Sequence, residues 1–372
     1  MLSKRLPPLS VWIRHSDGEI QGVIRYFWLM LIIRTWVFIA AFLFIKDAFS
    51  QDSTSFQVSG YAEVYWGAQQ GGADERPDFL YNHTDNGPAL NLAWVKYTLR
   101  HNRWQLVASP MAGTYVKQNL RGEPNAVRNI YEASLGFRIN ENSRLDAGIL
   151  PSHIGMESNI GADQMNVTRG LLAENTPYYE CGLRWSGKTE TGLNWAVLLL
   201  NGWQRIALDK GRNWPAFGVQ IQHVATKGRV LNYSNYMGTI RNRMTVYHNL
   251  YGQWTVAENW RVQTELNYES VPAEKDFVGY SLGVGRTIAQ KWAAACRFEQ
   301  VRDNNGSFFR TPYSPVNLNP GGWSFNVDYS PYKKLKCRIE ARRLWSVKGE
   351  QLDALPVTSA MWLLTASASV SF

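Results

Sequence analysis

From Gly60 to the last residue, apolar and polar side chains alternate one by one, in segment after segment. Tyr131, Ala133, Leu135, Phe137 and Ile139 form one series, with Glu132, Ser134, Gly136 and Arg138 interleaved. Trp260, Val262, Thr264, Leu266 and Tyr268 repeat the pattern against Arg261, Gln263, Glu265, Asn267 and Glu269. A period of two is the signature of an extended strand, whose successive side chains point to opposite faces. No amphipathic helix of useful length interrupts these runs. Strands this numerous must pair their edges, either in a soluble sandwich or propeller or in a sheet closed on itself. Two features favour closure in a membrane. The runs are about ten residues long, as tilted membrane strands are, and Trp and Tyr recur at their ends, where an aromatic girdle would lie.

The spacing of turns predicts the size. Seven short polar links stand out: 101–103, 140–143, 186–191, 226–229, 257–259, 289–291 and 330–334. Longer connections rich in Gly, Pro and Asn fall at 68–89, 152–177, 201–215, 303–321 and 348–360. Seven tight turns joining eight hairpins imply an all-β, closed antiparallel transmembrane β-barrel of about 16 strands, with short periplasmic turns and long extracellular loops. The chain ends on a strand in which Trp362, Leu364, Ala366, Ala368, Val370 and Phe372 share one face. A terminal aromatic on such a strand resembles the signal read by the bacterial outer-membrane assembly machinery, which makes Phe372 the assembly signal. Closure then requires the segment from Phe56 to Trp66 to pair antiparallel with this final strand.

The N-terminal region has a different character. Trp36 to Ile45 is a continuous apolar run between Arg34 and Lys46, followed by Ala48-Phe49-Ser50. It is about half the roughly 20 residues that a spanning helix needs, so it reads as the core of a signal peptide. Residues 1–50 are thus expected to be a signal peptide cleaved between Ser50 and Gln51, with the barrel over 51–372. The shorter run from Tyr26 to Ile33, joined to the first, would instead make an uncleaved anchor. Residues 1–29 are long and mixed for a signal, and Met30 offers a compact alternative start, so this stretch reads as a mis-assigned start. Removing residues 1–50 leaves 33 Lys and Arg against 27 Asp and Glu, a net charge of +6. No basic run supports nucleic-acid binding. Cys181, Cys296 and Cys337 are far apart with no metal-ligand spacing, and read as small apolar side chains on strands.

Several stretches carry a family resemblance. They are Gly60-Tyr61-Ala62-Glu63-Val64-Tyr65, Asn91-Leu92-Ala93-Trp94-Val95-Lys96-Tyr97, Gly148-Ile149-Leu150-Pro151-Ser152-His153-Ile154-Gly155-Met156-Glu157-Ser158, Asn166-Val167-Thr168-Arg169-Gly170 and Ala173-Glu174-Asn175-Thr176-Pro177-Tyr178-Tyr179-Glu180. With these the chain resembles the β-barrel porin family of OmpL-like proteins, common in Bacteroidota, across essentially the whole mature length. The resemblance implies an outer-membrane barrel with a pore function and specifies no substrate.

A pore works by geometry and fixed charge, so its functional residues should line the lumen. The 152–177 connection holds Glu157, Asp163, Arg169 and Glu174 and is the candidate constriction; the competing reading is an ordinary surface loop. On the strands, Glu132, Arg138, Arg184, Arg261, Glu265, Arg297, Glu299, Lys336, Arg338 and Arg342 lie opposite the apolar stripes. They should face inward, together with Glu180 and Glu340, because a cation facing lipid at mid-depth costs about 2–4 kcal/mol. Most should pair in a salt-bridge mesh, with the cationic surplus favouring anions. The expected function is passive diffusion of small hydrophilic solutes; the alternatives are a substrate-specific channel or a non-conducting binding barrel. Tyr61, Tyr65 and Trp94, on the polar faces, are too few to define a sugar track. Catalysis is disfavoured: Ser152 and His153 are adjacent, which in extended chain sends them to opposite faces, and no H-E-x-x-H or G-x-S-x-G motif occurs. The implied partners are outer-membrane lipids and lipopolysaccharide, the assembly machinery and small solutes. A homotrimer is the common assembly for porins of this size, although no interface is legible, and nothing points to a cofactor, metal or nucleic acid.

Overall fold

Alternation becomes architecture in the computed structural model, which describes residues 54–70, 76–77, 79–208, 215–225, 228–240, 242–272, 276–303, 306, 308–311, 314–317, 319–346 and 360–372. The expected signal peptide, its cleavage site and the alternative start at Met30 lie outside the described residues. The strands are β1 (Thr54–Gln69), β2 (Gly87–His101), β3 (Trp104–Ala112), β4 (Ile130–Arg138), β5 (Ser143–Pro151), β6 (Tyr179–Lys188), β7 (Leu193–Leu200), β8 (Ala216–Ala225) and β9 (Arg229–Ile240). They continue with β10 (Arg243–Ala257), β11 (Trp260–Ser270), β12 (Phe277–Ala289), β13 (Trp292–Asp303), β14 (Arg310–Thr311), β15 (Ser314–Asn317), β16 (Pro320–Tyr332), β17 (Leu335–Ser346) and β18 (Ala360–Ser371). Two short helices, α1 (Thr114–Asn119) and α2 (Leu171–Glu174), lie in connections.

Sixteen of these strands form one closed barrel, and β14 and β15 pair separately as a small hairpin. Closure is made by β1 against β18, antiparallel from Tyr61 opposite Ser371 to Gln69 opposite Leu363. Phe372 extends that seam by exchanging backbone hydrogen bonds with Gly60 at 3.0 and 3.1 Å. A Cβ at position 60 would collide with the Phe372 ring, so the glycine is what lets the terminal aromatic lie against β1. The seven tight links join β2–β3, β4–β5, β6–β7, β8–β9, β10–β11, β12–β13 and β16–β17. They gather at the end where the chain terminates, which in barrels of this kind faces the periplasm.

The distribution of polarity is the reverse of a soluble sandwich. Leu135, Leu183, Val197, Leu231, Leu266, Phe325 and Ile339 point outward and are exposed, whereas Glu63, Asn91, Asn249, Asn267, Glu299 and Asn326 are almost completely buried. In water such an exterior would be an aggregation surface; in lipid it is the required apolar band. Near the short turns the band is edged with paired aromatics. Ring centroids are 4.7 Å apart for Trp104 and Phe137, 5.0 Å for Trp185 and Trp195, and 4.6 Å for Trp292 and Tyr329. The three cysteines are free, with Cys296 exposed among the outward residues of β13.

Towards the long-loop end, parts of the connections turn into the lumen and build an apolar cluster there. Phe79, Leu80, Leu171, Leu172, Phe308 and Phe309 pack with Tyr236, Tyr247, Phe277, Leu344 and Met361 of the wall. Inside the barrel there are thus two environments: an apolar cap below the long loops and a charged zone beneath it.

Candidate functional site: a loop clamped across the lumen

The connection between β5 and β6, residues 152–178, runs through the middle of the barrel. Its entry is fixed by His153. One ring nitrogen, Nδ1, lies 2.8 and 2.9 Å from the two Glu180 carboxylate oxygens, and Nε2 lies 2.7 Å from the Asn235 carbonyl. Both nitrogens face oxygen acceptors, an arrangement that favours the doubly protonated ring. Burial by itself would depress this histidine, but Glu180 and the Asn235 carbonyl outweigh it and hold its pKa above the ordinary histidine value. Ser152 Oγ donates to the same Glu180 at 3.1 Å. Adjacent Ser152 and His153 thus converge on one carboxylate rather than diverging, because the chain has left the strand at Pro151. The backbone of the entry is held by β8 and β9, where Gln220 and Ser234 donate to the His153 carbonyl at 3.2 and 2.7 Å.

From there the loop crosses to the opposite wall. Arg338 grips it with the whole guanidinium: Nε and Nη2 bind Asp328 at 2.8 and 2.9 Å, while Nη1 and Nη2 donate to the carbonyls of Gly161, Gln164, Met165 and Asn166 at 2.8–3.2 Å. Lys336 Nζ donates to the carbonyl of Ala162. Glu340 receives the Val167 amide at 2.8 Å and the Thr168 amide and hydroxyl. Arg297 binds Glu157 at 3.2 Å and the Thr168 carbonyl at 2.9 Å. Glu299 takes the Leu171 amide at 2.6 Å and Arg342 at 2.5 Å, and Arg342 also donates to the Arg169 carbonyl at 3.0 Å. Wall charges from β13, β16 and β17 are therefore paired with the loop's backbone and with one another, which is the condition for burying them at all. The near side of the loop rests on aromatics: Tyr61 OH receives the Ala162 amide at 3.3 Å and Tyr131 OH donates to Asn159 at 2.9 Å.

The four residues expected at a constriction have different fates. Glu157 joins the Arg297 pair and also receives the Gly170 amide at 2.8 Å. Arg169 is fully buried at the centre, its Nη1 donating to the Val167 carbonyl at 3.1 Å. Glu174 does not face Arg169 across a pore; it binds the Tyr81 amide at 2.8 Å and the Asn82 amide and side chain, tying this loop to the β1–β2 connection. Burial raises the Glu174 carboxyl to about 7, with those hydrogen bonds only partly offsetting it. Asp163 is exposed at the end of a single 3-10 turn, Gly161–Asp163.

The strand residues expected in the lumen divide into two groups. Glu265, Arg297, Glu299, Arg338 and Arg342 are buried under the loop, with Lys336 half-buried beside them. Glu132 binds Lys96 at 2.5 Å on β4 and β2. Arg138, Arg184 and Arg261 lie nearer the short turns, and Arg138 and Arg261 are exposed there. Expectation from the sequence omitted Glu63, fully buried between Asn91 Nδ2 at 2.8 Å and His83 Nε2 at 3.4 Å. It also omitted Arg100, Arg144 and Asp146. All four obey the same inward alternation and were legible from it. Tyr61, Trp94 and Tyr131 stack along the wall with centroids 6.2 and 5.3 Å apart, but Tyr61 and Tyr131 are engaged in carrying the loop.

Open volumes lie on each side of the loop. One of about 430 Å³ at the long-loop end is lined by residues including Tyr81, Arg121, Glu174, Trp203 and Arg205. Another, about 520 Å³, lies at the short-turn end and is lined largely by β2–β8 and the turns between them.

A closed barrel of sixteen strands, apolar outside, polar inside and crossed by an inward loop, defines an outer-membrane channel protein. The chain belongs to the family described as "Putative beta-barrel porin-2, OmpL-like", whose model matches residues 55–372. No curated protein matches the sequence. Among solved structures the fold is similar to OmpF of Salmonella typhi in complex with daunomycin (TM-score 0.59, 10% identity, 85% of this chain and 97% of that one). It is also similar to the outer membrane channel DcaP of Acinetobacter baumannii (0.58, 12%, 87% and 99%) and to an anion-selective porin from Comamonas acidovorans (0.56, 8%, 86% and 100%). At these identities the likeness is one of fold.

Proposed function

We propose that this porin passes small hydrophilic solutes by passive diffusion, with a mild preference for anions, and that the 152–178 loop sets its conductance. One observation carries the reading: the loop consumes the charges of the β13, β16 and β17 wall, while the cations of the β2–β6 wall border open volume. Fixed charges beside water in a low-dielectric frame bias which ions enter. Chloride should therefore carry more current than potassium, and a reversal potential of the opposite sign would overturn the preference. Deleting residues 160–170 should raise single-channel conductance, since it removes the segment gripped by Arg338 and Glu340; unchanged conductance would refute the role of the loop.

A substrate-selective channel is the second reading, favoured by the 430 Å³ outer cavity, where Trp203 and Tyr81 meet Arg121, Arg205 and Glu174. Liposome swelling with solutes of graded size separates the two: a smooth size cutoff means general diffusion, and one solute passing out of sequence means selection. We further propose export by a signal peptide over residues 1–50, cleaved between Ser50 and Gln51, which N-terminal sequencing of the mature protein tests. Assembly as a homotrimer is proposed on the same footing and is tested by the mass of the native complex in detergent.

A further inference from the structure

Resting on the porin reading, we infer that the cavity at the short-turn end is a binding site for a phosphoryl dianion, free or carried on a small organic solute. Arg100, Arg103, Arg138, Arg144, Arg184 and Lys188 border its roughly 520 Å³, and the turn contributes one carboxylate, Glu141. Asp146 adds a second carboxylate beneath them, bound by Arg144 Nε at 3.0 Å and Arg184 Nη2 at 3.4 Å. Six cations against two carboxylates leave the site at about +4, a surplus that a single chloride neutralises poorly and a dianion neutralises well.

Arg144 and Arg184 share the Asp146 carboxylate, whereas Arg100 and Arg138 are oriented without being neutralised. Arg138 Nη2 donates to the Asn102 carbonyl at 2.9 Å, and Arg100 donates to the side-chain carbonyls of Gln105 and Gln57 at 3.3 and 3.2 Å. Arg184 Nε is buried without a hydrogen-bond partner. Gly136 completes the floor: a Cβ there would strike the Arg144 guanidinium and Asp146, so the absent side chain is what allows that pair to form. Asn194 supplies an amide on the remaining wall. The forked guanidiniums of Arg100 and Arg138, held by neutral partners at the edge of an open volume, match the bidentate geometry of phosphoryl oxygens. The volume falls in the range of small-molecule sites and leaves room for an organic group beside the phosphoryl.

Calorimetric titration of the detergent-refolded full barrel with inorganic phosphate and with glycerol phosphate tests this directly. Both should bind, more weakly as salt rises, and the R100Q/R138Q double variant should lose about tenfold in affinity. Glycerol phosphate binding more tightly than phosphate would identify the organic ester as the ligand; the reverse order would identify the free ion. Neither residue holds the loop, and heat-modifiable migration on a gel verifies folding, with Lys188→Gln as the milder variant. No heat with either probe, or equal affinity in the variants, overturns the site. A parallel planar-bilayer recording reports on the porin reading separately: binding without potassium chloride current sinks the channel and leaves the site, whereas current without binding sinks the site alone.

Discussion

Arginine occupies the inward face of this barrel on two separate stretches of wall, and its role differs completely between them. On β13 and β17, Arg297, Arg338 and Arg342 are nearly inaccessible, and each meets a carboxylate together with loop carbonyls. On β2 and β4, Arg100 and Arg138 are exposed, with amide and carbonyl partners. The residue type and the face are the same; what differs is whether the loop arrives. A buried guanidinium paired with a carboxylate is a structural clamp and adds little to the field in open water. An exposed one is the field.

The hardest test of this division removes a clamp. Arg297→Ala should leave Glu157 buried without its cation and Glu299 with Arg342 as its remaining one, which costs about 3–5 kcal/mol. The cost falls on the attachment of the loop rather than on the strand ladder. Limited proteolysis should then cut within 157–171, and the open-channel current should become larger and noisier, with gel mobility still that of a folded barrel. A variant as quiet and protease-resistant as the wild type would mean that the clamp is redundant.

Much of this architecture was legible in the sequence. Alternation gave the faces, tight turns gave the strand number, and Phe372 marked the closing strand, because each depends on residues near one another in the chain. The inward course of 152–178 was readable only as one of two options. What decides it is complementarity between Arg338 and four carbonyls more than 170 positions away, and such pairings leave no local pattern. The division between clamping and field-forming arginines was illegible for the same reason: Arg138 and Arg297 sit in equivalent alternating contexts, and only the third dimension separates them.

The next effect is one of pH, and Glu174 and His153, near the two ends of the loop, act in the same direction. Glu174 is raised by burial to about 7. A carboxyl so raised contributes stability that is complete below its unfolded value and is lost as pH climbs to about 7. His153, raised by Glu180 and Asn235 against the opposing effect of burial, contributes stability that is full below the ordinary histidine value and is lost as pH rises through its higher one. Alkaline conditions should therefore loosen the loop at both ends, and conductance should increase from pH 5 to 9. His153→Gln should flatten the upper part of that rise. A conductance independent of pH would separate these two groups from gating.

Smaller again is the near-side support. Tyr131→Phe deletes the 2.9 Å bond to Asn159 while keeping the ring stacked on Trp94. A single neutral hydrogen bond contributes about 0.5–1.5 kcal/mol, so the protease sensitivity of the loop should rise slightly and well short of that of Arg297→Ala. Equal sensitivity would place the anchorage on the aromatic side and break the division of the two walls.

The smallest effect on stability should come from the field-forming side, and it sharpens the comparison most. Arg138 is exposed and its guanidinium hydrogen bond is to the Asn102 carbonyl, so Arg138→Gln should change barrel stability by no more than about 0.5 kcal/mol. Its charge nevertheless stands at the edge of the open cavity, where screening by salt is incomplete below roughly 0.1 M, at which the Debye length is about 10 Å. Reversal potentials in dilute potassium chloride should shift toward cations in this variant, and the shift should fade as ionic strength rises. Arg342→Gln should do the opposite on both counts: it should loosen the loop by exposing Glu299, and leave the selectivity that remains while the loop is seated nearly unchanged. If the two variants exchange these phenotypes, the loop-bound wall carries the field, and the assignment of the walls must be reversed.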